Sequence, residues 1–151
     1  MPTSATGNSA GFTLVELMIV MTIVGLLSAA VVLAMPDPRG SVVAEAERFA
    51  ARAEAVQELA VIDARATAVR VTGAGYGFDR RRRGEWQALA QEPFVDRAWG
   101  SEVEASVGGA GAMRIVFDST GMAEPAQLVL RRDGEQVSVE VGQDGRIHVV
   151  R

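Results

Sequence analysis

Residues 12–35 form an apolar run whose only polar members are Thr13, Glu16, Thr22 and Ser28. Its Leu, Ile, Val and Met positions fall on every side of a helix, as in a membrane span and unlike an amphipathic helix. At about 1.5 Å per residue the run reaches roughly 36 Å, enough for a hydrocarbon core of about 30 Å. Residues 36–40, PDPRG, place two prolines and a glycine where they break or kink a helix. From Ser41, a fair N-cap, the pattern changes. Val42, Ala46, Phe49, Ala53, Val56 and Ala60 recur at spacings of three and four, and Leu59, Ile62 and Ala66 widen the stripe. Glu45, Glu47, Arg48, Arg52, Glu54 and Glu58 lie mostly on the other faces. The spacing predicts an amphipathic helix over 41–68 with one side for a core.

Beyond residue 68 the period shortens toward two. AVRVTGAGYGF alternates and is glycine-rich, as a strand and a bend are. EWQAL at 85–89 and MRIVFD at 113–118 are further strand candidates. QLVLRRDGEQVSVEVGQDGRIHVV reads as three strands joined by turns at Asp133-Gly134 and Asp144-Gly145. The expectation is an α+β chain: a long N-terminal helix in two halves, and over 69–151 a head built on an antiparallel sheet of five to seven strands, its long loops around 72–112.

Composition removes several kinds of chemistry. With no cysteine there is no disulfide framework, thiolate nucleophile or thiolate metal site. The single histidine, His148, argues against a His-based triad or a multi-His metal site. All 15 basic residues are arginine, and the net charge of −4 argues against a nucleic-acid footprint over the whole head. No catalytic residue, cofactor or metal site is therefore expected.

Glu16 is the anomaly. A carboxylate within hydrocarbon costs several kcal/mol unless it is neutralised or paired. Either it sits near the membrane surface and reaches water, or it awaits a positive partner. Cutting between Gly11 and Phe12 would create a free α-ammonium four residues away. An ordinary signal peptide fits less well, since residues 1–11 have no Lys or Arg and the apolar run is long.

The stretch G-F-T-L-V-E-L, opening a span of membrane length, resembles the class III signal of type IV pilins and type II secretion pseudopilins. The resemblance implies that a membrane-embedded prepilin peptidase cuts after Gly11 and N-methylates Phe12, making residues 1–11 a leader and 12–35 the membrane and assembly helix. Glu16 then pairs with the N-terminal amine of a neighbouring subunit during assembly. The leader's lack of basic residues departs from the family, so the motif rather than the positive-inside rule carries the orientation. In the head, GYGF, a tryptophan soon after, and FDSTG before a C-terminal meander resemble the GspH/FimT group.

Of the remaining chemistry, the run Arg80, Arg81, Arg82 and Arg83 is the densest in charge. Set in an expected loop, it reads either as a solvated turn or as an anion- or DNA-binding patch. Trp86 nearby is either a stacking platform for a base or a strand-edge anchor. Asp133 and Asp144 are explained by turns, as are Asp118, Ser119 and Gly121, and His148 by the surface of a strand. Phe94, Val95 and Trp99 are expected to pack back on the sheet rather than form a docking patch.

Together these features imply a GspH-like minor pseudopilin, a structural subunit near the tip of a pseudopilus. The expected partners are other pseudopilins or pilins, prepilin peptidase and an inner-membrane secretion platform. The expected placement is single-pass in the inner membrane with the head in the periplasm. The alternative is a FimT-like minor type IV pilin, acting in pilus assembly or in DNA uptake through the Arg run. A membrane-anchored periplasmic enzyme is a third, poorly supported reading.

Overall fold

A computed structural model describes residues 13–34, 41–107 and 111–151. The chain divides into two units, Met1–Pro36 and Asp37–Arg151. Leader residues 1–11, Phe12 and the break at 36–40 lie outside the described residues.

The first unit contains α1, Leu14–Ala34. Thr13 starts it: its Oγ1 accepts from the Glu16 N–H at 3.2 Å, and its carbonyl accepts from the Leu17 N–H. The first satisfies one of the donors a helix start leaves open, and the second is the first bond of the helix itself. Thr22 and Ser28 return their hydroxyls to Met18 O and Val24 O, so neither hydroxyl needs an outside partner. Over Leu14–Val31 the helix is long and apolar enough to cross a membrane.

The second unit is the head. Helix α2, Val42–Ile62, is capped by the Ser41 hydroxyl, which accepts from the Ala44 N–H. Its buried face is Val42, Ala46, Phe49, Ala53, Val56 and Ala60, the residues the spacing selects, joined by Ala50 and Glu45. The helix stops six residues before position 68. Ala64, at φ +50, and Arg65 close it: the Ala64 N–H donates to Val61 O and the Arg65 N–H to Ala60 O, a Schellman ending. Thr67 and Ala68, expected at the helix end, instead open a strand, because ladder partners on both sides outweigh local helical preference.

Nine strands follow among the described residues: β1 Thr67–Thr72, β2 Gly75–Arg82, β3 Glu85–Ala88, β4 Arg97–Ala98, β5 Glu104–Val107, β6 Ala112–Phe117, β7 Ala126–Arg132, β8 Glu135–Val141 and β9 Ile147–Val150. They form two antiparallel sheets rather than one. The first runs β3-β2-β1-β6, with β4 also on β2; the second runs β5-β7-β8-β9. The expected long loops at 72–112 hold the whole of β2, β3, β4 and β5, with the last residue of β1 and the first of β6 at their ends. Helix α2 packs on strands of both sheets. The core between them is aliphatic-aromatic, with Phe49, Phe78, Phe117, Ile115, Leu128 and Leu130 almost fully enclosed.

Candidate functional site

Two places carry the chemistry singled out by the sequence. The first is the start of α1. Glu16 is exposed in the first helical turn. The Thr13 cap engages its backbone N–H, and no ion pair to its carboxylate occurs among the described residues. The anion is thus open to a partner from outside the described residues, at the helix end whose dipole favours negative charge. Gly11 and Phe12 lie outside the described residues.

The second is the Arg run, which is not in a loop. Residues 80–82 end β2, and Arg83 with Gly84 makes a two-residue hairpin turn into β3, at φ +52 and +89. Both positive angles fit a type I′ connection. Alternation along the strand then divides the run. Arg80 points to the α2 side and pairs with Asp63 at 2.8 Å. Arg81 points to the other side, where its guanidinium lies over Trp86 at 5.8 Å. Arg82 and Arg83 are exposed, with no carboxylate partner among the described residues.

Trp86 is a strand-edge anchor. Arg114 also lies over its ring, at 5.3 Å, reaching from β6 on the far side of the sheet. This cation–π bridge crosses the outward face of the first sheet. Beneath it sits Asp79, 2 % exposed. Its carboxylate accepts from Arg70 at 2.5 Å and from Arg114 at 3.4 Å, and Arg70 also reaches Asp96. Two guanidiniums offset the cost of desolvating one carboxylate. Asp79 precedes the Arg run and carries no motif in the sequence. The only available signal was its phase: it shares the outward face with Arg70 and Arg114 once the register of β1, β2 and β6 is known.

Glu45, read as solvent-facing, is also buried, and pairs with Arg48 at 2.5 Å. It lies against Gly100, where an added Cβ would stand 3.2 Å from its Oε2. Phe94 packs edge-on against Phe78, while Trp99 packs against Tyr76 and Phe49 and donates its indole N–H to Thr72 O. The segment 93–100 does pack back on the sheet. Burial pushes the Tyr76 hydroxyl above its usual pKa, opposed by the charge and the 2.7 Å hydrogen bond of Arg52.

The remaining candidates are turn residues or surface. The Asp118 carboxylate accepts from the Thr120 hydroxyl and from the N–H groups of Thr120 and Met122, and these bonds hold its pKa below the usual value. Asp133 and Gly134 take positive φ in the β7–β8 turn. The Asp144 carboxylate accepts from the Arg146 N–H in the β8–β9 turn. His148 is exposed on β9. Among the described residues no three His, Asp or Glu side chains gather as a metal site.

Comparison with known proteins adds the following. The family model for the prokaryotic N-terminal methylation motif matches residues 6–32, and the model for type II transport protein GspH matches residues 45–145. Type II secretion system protein H of Aeromonas hydrophila is 37% identical over 92 residues, covering 58% of this chain and 50% of that protein. The chain therefore spans about half the length of that curated relative. The minor pseudopilin EpsH of the Vibrio cholerae type 2 secretion system superposes with a TM-score of 0.60 at 18% identity, over 70% of this chain and 92% of that one. The type IV minor pilin FimU of Pseudomonas aeruginosa gives 0.58 at 16% identity, over 72% and 87%. At these identities the two structures show the shared pilin-like α+β fold.

Proposed function

The chain belongs to the type II transport protein GspH family, and we propose that it is a minor pseudopilin, a structural subunit of a type II secretion pseudopilus that works by assembly rather than catalysis. The observation that carries this reading is the pairing of two family matches on one chain, a methylation motif over the apolar start and a GspH head after it. Prepilin peptidase removes residues 1–11 and methylates Phe12. The apolar α1 holds the processed chain in the inner membrane, with the head in the periplasm, until the filament takes it up. Glu16 then meets the N-terminal amine of a neighbour, and burying the two charges together avoids the larger cost of burying either alone. That the exposed Glu16 carboxylate meets no ion pair among the described residues supports this role. Other pseudopilins and the inner-membrane secretion platform are its working partners.

The fold likeness to FimU keeps a second reading, a minor type IV pilin with its Arg run in DNA uptake. The division of residues 80–82 between two faces of β2, with Arg83 in the turn, favours the first. Crosslinking in intact membranes, with mass spectrometry of the joined proteins, tests the choice. Pseudopilins and secretion-platform proteins are the expected products; pilus proteins would overturn the secretion reading.

A further inference from the structure

Two bonds in the chain join aspartate to glycine, Asp133-Gly134 and Asp144-Gly145. Such a bond is open to attack from within. The glycine nitrogen can reach the aspartate Cγ because no Cβ stands in its way. The N–Cγ bond forms, and a carboxyl oxygen leaves as water with the amide proton and the carboxyl proton. The product is a five-membered succinimide. Water then opens the ring at one of its two carbonyls. Addition at Cγ restores aspartate. Addition at the main-chain carbon leaves isoaspartate, with the backbone running through Cβ and Cγ. Composition is unchanged, and water is the only co-reactant. The backbone must swing to bring the nitrogen over Cγ, so the freedom of the turn governs the rate.

The fold gives the two bonds unequal freedom. Their side chains are comparably exposed, 75% for Asp133 and 60% for Asp144, so access to water does not separate them. The turn at Asp144-Gly145 is fastened. The Gly145 N–H, the group that would attack, donates to Gly142 O at 2.9 Å. The Asp144 carboxylate accepts from the Arg146 N–H at 3.1 Å. Gln57 Nε2 donates to Gly121 O at 2.9 Å and to Asp144 O at 3.5 Å, tying this turn to α2. A Cβ added at Gly145 would fall 1.9 Å from Gly121 O, so the backbone is walled in. Asp133-Gly134 has no such wall. It is the two-residue turn between the paired Arg132 and Glu135, at φ +51 and +82. A Cβ added at Gly134 would meet nothing within 4 Å. The ion pair of its carboxylate, with Arg132 Nε at 3.3 Å, comes from the adjacent residue and not from another element.

We infer that Asp133 is a site of spontaneous isoaspartate formation in the folded head, and that the clamp built on Gln57 protects Asp144 from the same reaction. The change is a covalent modification of the backbone itself. It falls where the fold has little room for it. A two-residue turn that holds Arg132 opposite Glu135 has no place for an extra backbone atom. The β7–β8 hairpin lies at the centre of the second sheet, so converted chains lose the register that closes it.

The test is ageing of the full-length chain in detergent at neutral pH, warm but below its unfolding midpoint, with samples taken over weeks. Isoaspartate is counted by methyl transfer from labelled S-adenosylmethionine with an isoaspartyl carboxyl methyltransferase. Electron-transfer fragmentation of the peptides then places it at 133 or 144. The expected result is several-fold more isoaspartate at 133 than at 144 in the folded chain, and loss of that difference in urea. Asp133→Glu, which would need a larger ring, removes the signal at 133. Gln57→Ala raises the signal at 144, in a chain whose urea midpoint shows it still folded. Equal conversion at the two bonds in the folded chain, or none at 133 while the unfolded chain converts, overturns the inference. A difference that persists in urea overturns the fold as its cause, and no rise at 144 in folded Gln57→Ala overturns the clamp.

Discussion

Ala64 holds φ +50 at the end of α2, a region in which a Cβ crowds the backbone and glycine is at ease. Its N–H is already bonded to Val61 O, and the residue is exposed, so the change to glycine removes strain without removing a contact. Ala64→Gly is expected to raise stability by about 1 kcal/mol, read as a higher urea midpoint at unchanged slope. Gly145 is the opposite case. It stands at φ +76, and an added Cβ would fall 1.9 Å from Gly121 O and 2.2 Å from Gln57 Nε2. The same Nε2 donates to Gly121 O, so one glutamine pins the 118–122 turn to α2. Gly145→Ala is expected to cost about 2 kcal/mol or more, with a lowered thermal midpoint as the measurement. Both positions are plain letters in the sequence. An alanine gives no sign of a left-handed cap, and Gly145 shows a turn but not the carbonyl across from it.

At the scale of the element, the first sheet is held on its outward face by a carboxylate that water barely reaches. Asp79 accepts from Arg70 on β1 and Arg114 on β6, and so ties three strands across their width. Asp79→Ala leaves Arg114 without a carboxylate among the described residues and Arg70 with Asp96 alone, but each guanidinium is partly exposed and can rehydrate. The expected cost is therefore about 2–3 kcal/mol, below that of breaking a fully buried pair. Urea unfolding measures it, and Trp86 emission should shift as the Arg114 contact loosens. The strands themselves were partly legible. Alternation and the Asp133-Gly134 signal marked the C-terminal meander, because its strands are half-buried and its first turn uses standard residues. The β2–β3 hairpin was missed because Arg83-Gly84 lacks the usual Asn or Asp and the charge run hid the strand. The short β4 and β5 hold too few residues for a period to show.

For the whole molecule, the proposed reading lets one charge divide processing from assembly: cleavage after Gly11 would act on the leader junction, and Glu16 would act through its carboxylate after processing. Glu16→Ala is expected to leave leader removal intact, seen as the same mass shift as the parent chain. It should reduce recovery in sheared filaments by about tenfold or more, since an unpaired amine within the apolar bundle costs several kcal/mol. Full incorporation of the variant would sink this role for Glu16.

What the sequence determined alone is what depends on local composition and period: a span apolar all round, a capped amphipathic helix, the core face of that helix, and an α+β order of elements. These are legible because each is written in consecutive residues. Where α2 ends, how the strands part into two sheets, why Asp79 and Glu45 are buried, and why Ile62 is not, were decided by the tertiary structure. Each depends on partners distant in the chain: ladders that claim Thr67 from the helix, a register that lays Arg70 and Arg114 over one carboxylate, and a turn at Ala64 that carries the chain away before Ile62 is covered.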